Sequence, residues 1–128
     1  MTAIRPDAQV KLEQAQNIWI ASVRPGKPTG QPRPHLVPVW FAWHTDRLYI
    51  CIDAESIKGR NITSNPNVVL ALEDGSNPII CEGIAEPLYL PWPKGVIQVF
   101  KQKYGWDITT DPQYSHLVEI MPRKWLVW

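Results

Sequence analysis

The chain has 128 residues, a formal charge of +1, 45% hydrophobic residues and two cysteines. That length suits one domain, residues 1–128, with a core large enough to need no disulfide staples. Mixed, nearly balanced charge excludes the basic stripe of a nucleic-acid binder, and no apolar run approaches the roughly 20 residues of a membrane span.

Met1-Thr-Ala-Ile-Arg-Pro-Asp7 carries no apolar run behind its arginine, so no signal peptide is expected and the chain reads as a soluble cytoplasmic domain. Helix-compatible residues from Asp7 to Gln16, after Pro6, predict a first helix with Val10 and Leu12 as its apolar members. Asn17 to Arg24 is rich in β-branched and aromatic side chains and predicts a strand. The proline- and glycine-rich run from Pro25 to Pro34 reads as an irregular loop. Leu36 to Trp43 resumes extended structure, with Pro38 confining it to an edge or a bulge.

His44 to Arg47 predicts a hairpin turn into a strand over Leu48–Asp53. Asn65-Pro66-Asn67 ends the short basic element that follows and leads into a strand over Val68–Glu73. Asp74-Gly75 marks the next turn, and Ile79–Glu86 the next strand, with Gly83 at a bulge. Between Pro93 and the capping Gly105, Val96, Ile97, Phe100 and Tyr104 recur at helical spacing. His116–Met121 and Lys124–Trp128 close the chain as strands. Short strands, hairpin turns and few helices point to a closed or nearly closed antiparallel barrel. Cys51 and Cys81 each sit inside an apolar strand and are expected as buried free thiols.

Ser56-Ile57-Lys58-Gly59-Arg60-Asn61 is the constellation best suited to chemistry. A serine N-cap, free helix N–H groups and two cations at spacing two are what a phosphate uses. The same residues also describe a capped surface helix with solvated Lys58 and Arg60. His35 and His44 lack any accompanying ligand set at metal spacing, and no metal is expected. Neither cysteine has a base near it in sequence, and both Gly-x-Ser-x-Gly and Gly-x-Gly-x-x-Gly are absent. A missing catalytic set fits a protein whose cofactor carries the chemistry. Seven tryptophans exceed what so small a core readily hides, so some should face a ligand or a partner subunit.

Arg33-Pro-His-Leu-Val-Pro-Val-Trp-Phe41, the hairpin to Asp53, Ser56-x-Lys58-x-Arg60-Asn61 and Asn65-Pro66 together resemble the pyridoxamine 5′-phosphate oxidase-like FMN-binding split barrels. Val68–Glu73, Cys81–Glu86 and the helix ending Lys103-Tyr-Gly105 match the same pattern, over about residues 17 to 125. The resemblance implies a mainly β fold, a six-stranded antiparallel split β-barrel, in a homodimer holding two flavins between its subunits. It would run His35, Leu36, Val37, Pro38 and Val39 along the isoalloxazine. Asp53, Ser56, Ile57 and Lys58 would approach the ribityl chain and phosphate, supported by Arg60 and Asn61. Trp106 or Trp125 of the second subunit would cover the ring. The C-terminal arginine–histidine motif of the true oxidases is absent, so oxidation of pyridoxamine phosphate is not implied.

The expected activity is therefore hydride transfer by bound FMN between a nicotinamide donor and a small organic acceptor. The deazaflavin F420 is the alternative cofactor, since it too presents a phosphate. A flavin- or haem-binding carrier without turnover is the competing function, and a plain dimeric β-barrel interaction module is the third.

Overall fold

The computed structural model describes residues 4–26 and 30–128. Its elements run α1 (Pro6–Gln14), β1 (Ile18–Arg24), β2 (Arg33–Val39), β3 (Ala42–His44), β4 (Arg47–Ile52) and α2 (Ile57–Ser64). They continue with β5 (Asn67–Ala71), β6 (Ile79–Pro87), α3 (Lys94–Tyr104), a short 3-10 turn (Ile108–Thr110) and β7 (His116–Val127). Part of the loop expected from Pro25 falls on residues 27–29, outside the described residues; Arg33 and Pro34 already belong to β2.

Seven strands, rather than the six expected, form one antiparallel sheet in the order β2-β1-β5-β6-β7-β4-β3. The extra strand arises because the extended stretch from Leu36 to Trp43 breaks at Trp40–Phe41 into β2 and β3. These two strands are the opposite edges of the sheet. Laid flat, six interstrand steps would separate them by roughly 29 Å. The link from Val39 to Ala42 reaches about 11 Å at most. The sheet must therefore curl until its edges meet at that corner, which makes it a split barrel.

Alternation along each strand then sorts side chains to two faces. Ile18, Ile20, Leu48, Ile50, Leu70, Val118 and Ile120 fill the interior, with Leu12 and Ala8 of α1 and Ile62 of α2 packed against them. Each such aliphatic side chain contributes roughly 1.5–3 kcal/mol by leaving water. In α1 the buried pair is Ala8 and Leu12, spaced i, i+4; of the two apolar members expected, Leu12 is buried and Val10 is exposed. Outside the barrel, Val96 and Phe100 of α3 pack with Ala42, Tyr49, Cys51 and Leu117 into a second core over β3, β4 and β7. Nothing among the described residues covers the outer faces of β1, β5 and β6 in this way.

The hairpin turn falls on Thr45 and Asp46, both at positive φ (46° and 61°), as a two-residue turn between twisted strands requires. The two C-terminal strands expected on either side of Pro122-Arg123 are one continuous β7. Its register against β6 shifts between Glu82 and Gly83, which pair with Lys124 and Pro122 and leave Arg123 as the extra residue. Gly83 thus marks the bulge as expected, though the extra residue lies on the partner strand. A Cβ there would meet Ile120 Cγ2 at 2.7 Å and the Met121 carbonyl at 2.9 Å. Cys51 and Cys81 are buried free thiols.

Candidate functional site

Where the barrel splits, a cleft of about 620 Å³ opens at the β2–β3 corner. Pro38, Val39 and Trp40 form one wall, Cys51, Ile52 and Lys58 another, and Tyr104, Trp106, Asp111 and Tyr114 the third. Three separate elements converge here because β2 and β4 both end at this corner and α3 ends opposite them.

Lys58 is placed by α2, whose start is fixed locally. Ser56 Oγ accepts from the Gly59 N–H at 3.1 Å and donates to the Asp53 carbonyl at 2.6 Å. Asp53 Oδ1 in turn accepts from the Glu55 N–H at 2.9 Å. Gly59 is required, since a Cβ would lie 2.6 Å from the Asp53 carbonyl oxygen. Burial lowers the pKa of Lys58, and the charge of Asp53 partly offsets this. Among the described residues, no carboxylate lies within 4 Å of its ammonium group and none of its hydrogens has a partner. A half-buried cation that lines a cleft without a direct partner is chemically suited to an anion.

The aromatic wall is tied down as firmly. Tyr104 lies parallel to Trp40, with ring centroids 4.4 Å apart and planes 7° from parallel. Its hydroxyl accepts from the Phe41 N–H at 3.0 Å and shares its proton between the Gln16 and Phe41 carbonyls at 2.9 and 3.1 Å. Trp106 stands edge-on to Trp40, to Phe100 and to Tyr114. Its Nε1–H donates to Asp111 Oδ2 at 3.1 Å, while Asp111 Oδ1 accepts from the Gln113 and Tyr114 N–H groups. Those donors hold the Asp111 carboxyl below its usual pKa. Cys51 donates to the Tyr114 carbonyl at 3.1 Å, and burial pushes its thiol up to about 12, so it is no nucleophile at neutral pH.

The family model for pyridoxamine 5′-phosphate oxidase matches residues 4–128. The chain belongs to that family. Among solved members of this fold, the haem storage protein HutZ from Vibrio cholerae superposes with a TM-score of 0.76 at 16% identity, covering 98% of this chain and 95% of that one. An F420 reductase gives a TM-score of 0.70 at 22% identity, covering 96% and 98%. The conserved protein Rv2991 from Mycobacterium tuberculosis gives 0.71 at 22%, covering 100% and 86%. At such identities these likenesses establish the fold alone. No curated protein matches the sequence significantly.

Of the residues that the oxidase-family resemblance singled out, the cleft brings together Pro38, Val39, Lys58 and Trp106. His35, Leu36 and Val37 lie further back on β2; Leu36 is exposed and Val37 packs on the interior core. Asp53 and Ser56 build the turn that presents Lys58, rather than lining the cleft themselves. Ile57 is exposed, and Arg60 donates through Nε to the Glu55 carbonyl at 3.1 Å. Asn61 turns inward, 2% exposed, and donates to Ser22 Oγ at 3.0 Å, joining α2 to β1. Trp125 packs edge-on against Trp43, apart from this chain's own cleft. His44 lies against Gly95 at the start of α3, where a Cβ would come within 2.5 Å of its Nε2.

Sequence reasoning missed Trp40, Tyr104, Asp111 and Tyr114. Tyr104 was legible only as a member of the helix that ends at the Gly105 cap. Asp111 and Tyr114 sit in a stretch with no periodicity, and only the fold carries them to Trp106.

Proposed function

We propose that this chain is a flavin-binding oxidoreductase that passes a hydride between a nicotinamide donor and a small organic acceptor. The observation that carries this reading is Lys58, a half-buried cation with no ion-pair or hydrogen-bond partner among the described residues, at one side of a cleft lined mainly by aromatic and aliphatic groups. Such a cleft suits a ligand that is flat at one end and anionic at the other. FMN meets that description, and F420 shares it.

Lys58 would hold the phosphate, with Ser56, Ile57 and Asp53 shaping the turn behind it and Arg60 adding positive charge nearby. The free edge of β2 would run along the ring. Pro34 and Pro38 have no N–H, so they belong to the row of backbone groups that points away from β1. That row offers the carbonyls of Pro34, Leu36 and Pro38 and only one N–H, from Leu36. An acceptor-rich edge matches a ring that carries an imide N–H. When bound, the flavin supplies the hydride chemistry; the chain orients it and excludes water. The lining of the cleft, among the described residues, holds no histidine, which favours flavin over a haem carrier.

Two copies would pair through the outer faces of β1, β5 and β6. The cross-strand row Pro38–Trp19–Ala71–Ile80–Leu126 is wholly apolar across five strands. Beside it, the row Leu36–Ala21–Val69–Glu82–Lys124 begins apolar and ends in opposite charges. A partner on this face would bring its own Trp125-bearing strand to the shared region.

Titration of the purified protein with FMN and with F420, followed by absorbance, tests the reading. Binding of one of them, weakened about ten-fold or more by Lys58→Glu, is expected, since each ten-fold step is about 1.4 kcal/mol. Reduction of the bound flavin by NADPH and reoxidation by a small acceptor would exclude a passive carrier. If neither cofactor binds, the proposal fails.

A further inference from the structure

The interior-facing row of the β1–β2 hairpin changes character along its length. Ile18–Val39, Ile20–Val37, Ser22–His35 and Arg24–Arg33 are directly opposed pairs on one face of the sheet. The first two pairs belong to the interior core, and Ser22 is buried against Asn61 of α2. The row then ends on two exposed arginines, set side by side at the far end of the hairpin. Like charges directly opposite one another destabilise a sheet, and neither arginine has an ion-pair partner among the described residues. No acid is supplied locally either. Between Glu13 and Asp46 the sequence has no aspartate or glutamate, and β5, the other neighbour of β1, carries none.

We propose that Arg24 and Arg33 form a second anion site, which takes a phosphoryl dianion, either free phosphate or the phosphate of a small monoester. A cavity of about 290 Å³ opens at this end of the hairpin, lined by both arginines with Pro25, Gly30 and Gln31. Gly26 packs directly on the Gly30 carbonyl with no room for a Cβ, so the two flanks of the hairpin end meet. Two planar guanidinium forks offer paired donors and two positive charges. A phosphoryl dianion has the terminal oxygens and the charge to meet both forks, whereas one fork already satisfies a carboxylate. Binding also cancels the repulsion between the two arginines. The site is separate from the cleft. Arg33 and Val39 are the two ends of the seven-residue β2, roughly 20 Å apart, and it is Val39 that lines the cleft with Lys58. The proposal therefore does not rest on the flavin reading.

The test titrates nitrogen-15-labelled protein with inorganic phosphate, glycerol phosphate and acetate at constant ionic strength, following the arginine Nε–H and Gln31 backbone signals by NMR. Saturable shifts at Arg24, Arg33 and Gln31 are expected with inorganic phosphate, glycerol phosphate or both, and acetate should bind at least about ten-fold more weakly. Tighter binding of the monoester would identify a phosphorylated small molecule as the source, and equal or tighter binding of inorganic phosphate the free anion. Arg24→Gln and Arg33→Gln should each weaken binding about ten-fold or more, whereas Lys58→Glu should change it less than about two-fold. In phosphate-free buffer of low salt, Arg24→Gln should raise the urea midpoint, because it removes a like-charge contact. An arginine that merely held the hairpin would lower that midpoint when lost, and such a fall would overturn the site. Absence of a saturable shift with both phosphate compounds, acetate binding as tight as phosphate, or binding unchanged in either arginine variant would overturn it too. A loss with Lys58→Glu as large as theirs would place the phosphate in the cleft instead, with the same consequence.

Discussion

Two neighbouring residues at the end of α3 hold the corner on which the cleft depends. Tyr104 bonds the Phe41 backbone through its hydroxyl, and Lys103 donates from Nζ to the Phe41 carbonyl at 3.1 Å while lying 3.8 Å above the Phe41 ring. No carboxylate compensates Lys103 among the described residues. Burial therefore lowers it from 10.5 to about 8, whereas burial raises the Cys51 and Cys81 thiols from 9.0 to about 12. These shifts have opposite consequences for stability. The unfolded chain keeps the Lys103 proton up to 10.5 and the fold releases it near 8, so its contribution to stability rises with pH across that window. The thiols stabilise fully below 9.0, and that stability is lost as pH climbs toward 12. Urea midpoints should accordingly rise between pH 8 and 9 and decline above. Lys103→Met should abolish the rise and leave the decline. The slope is bounded by about 1.4 kcal/mol per pH unit and is reduced by the partial exposure of the side chain. Identical slopes in the two proteins between pH 8 and 9 would show that Lys103 is not buried as described.

At the scale of elements, glycines show how differently one residue type is used. Gly105 ends α3 at φ 65°, with nothing within 4 Å of where a Cβ would stand. Gly83 has ordinary backbone but two atoms within 3 Å of that position. Gly105→Ala should therefore lose about 1 kcal/mol through backbone strain alone, and Gly105→Asn much less, since asparagine tolerates the left-handed region. Gly83→Ala should lose more, because the Ile120 side chain and the Met121 carbonyl must both move. Chemical denaturation of the three variants checks the order; equal losses at both sites would contradict it. Local signals of this kind were readable in advance. The Gly105 cap, the Ser56 cap, the Asp-Gly turn and the edge role of Pro38 follow from backbone chemistry within a few residues. The break at Trp40–Phe41 was not readable, because both residues favour extended structure and only Tyr104 and Lys103, some sixty positions on, fix the corner.

Across the whole molecule, the two faces of the sheet have unequal fates. α3 covers β3, β4 and the start of β7, while Leu36 (60% exposed) on β2, Val69 (40%) on β5 and Met121 (43%) further along β7 remain in the open. Exposed apolar surface of this kind is what the proposed pairing of two copies would bury. Val69→Lys, which sets a charged side chain in the middle of that face between Ala21 and Glu82, should convert the proposed dimer to a monomer by light scattering while leaving the thermal midpoint of the monomer within a few degrees. A wild-type protein that is monomeric at micromolar concentration would contradict the pairing.

The order of strands, the capped helix bearing Lys58 and the family pattern are properties of the sequence, because each is set by the chemistry of adjacent residues and by their spacing. The sequence singled out Lys58 for a phosphate and Trp106 as a cover from a second subunit, whereas the fold puts both in the lining of one chain's cleft. The fold decided the rest. It turned Asn61 inward to Ser22, made Asp53 and Ser56 the frame of the turn, and brought Trp40, Tyr104, Asp111 and Tyr114 into the lining of one cleft. That lining joins residues up to 74 positions apart, across a seam that exists only because a two-residue link forces the edges of a seven-stranded sheet together.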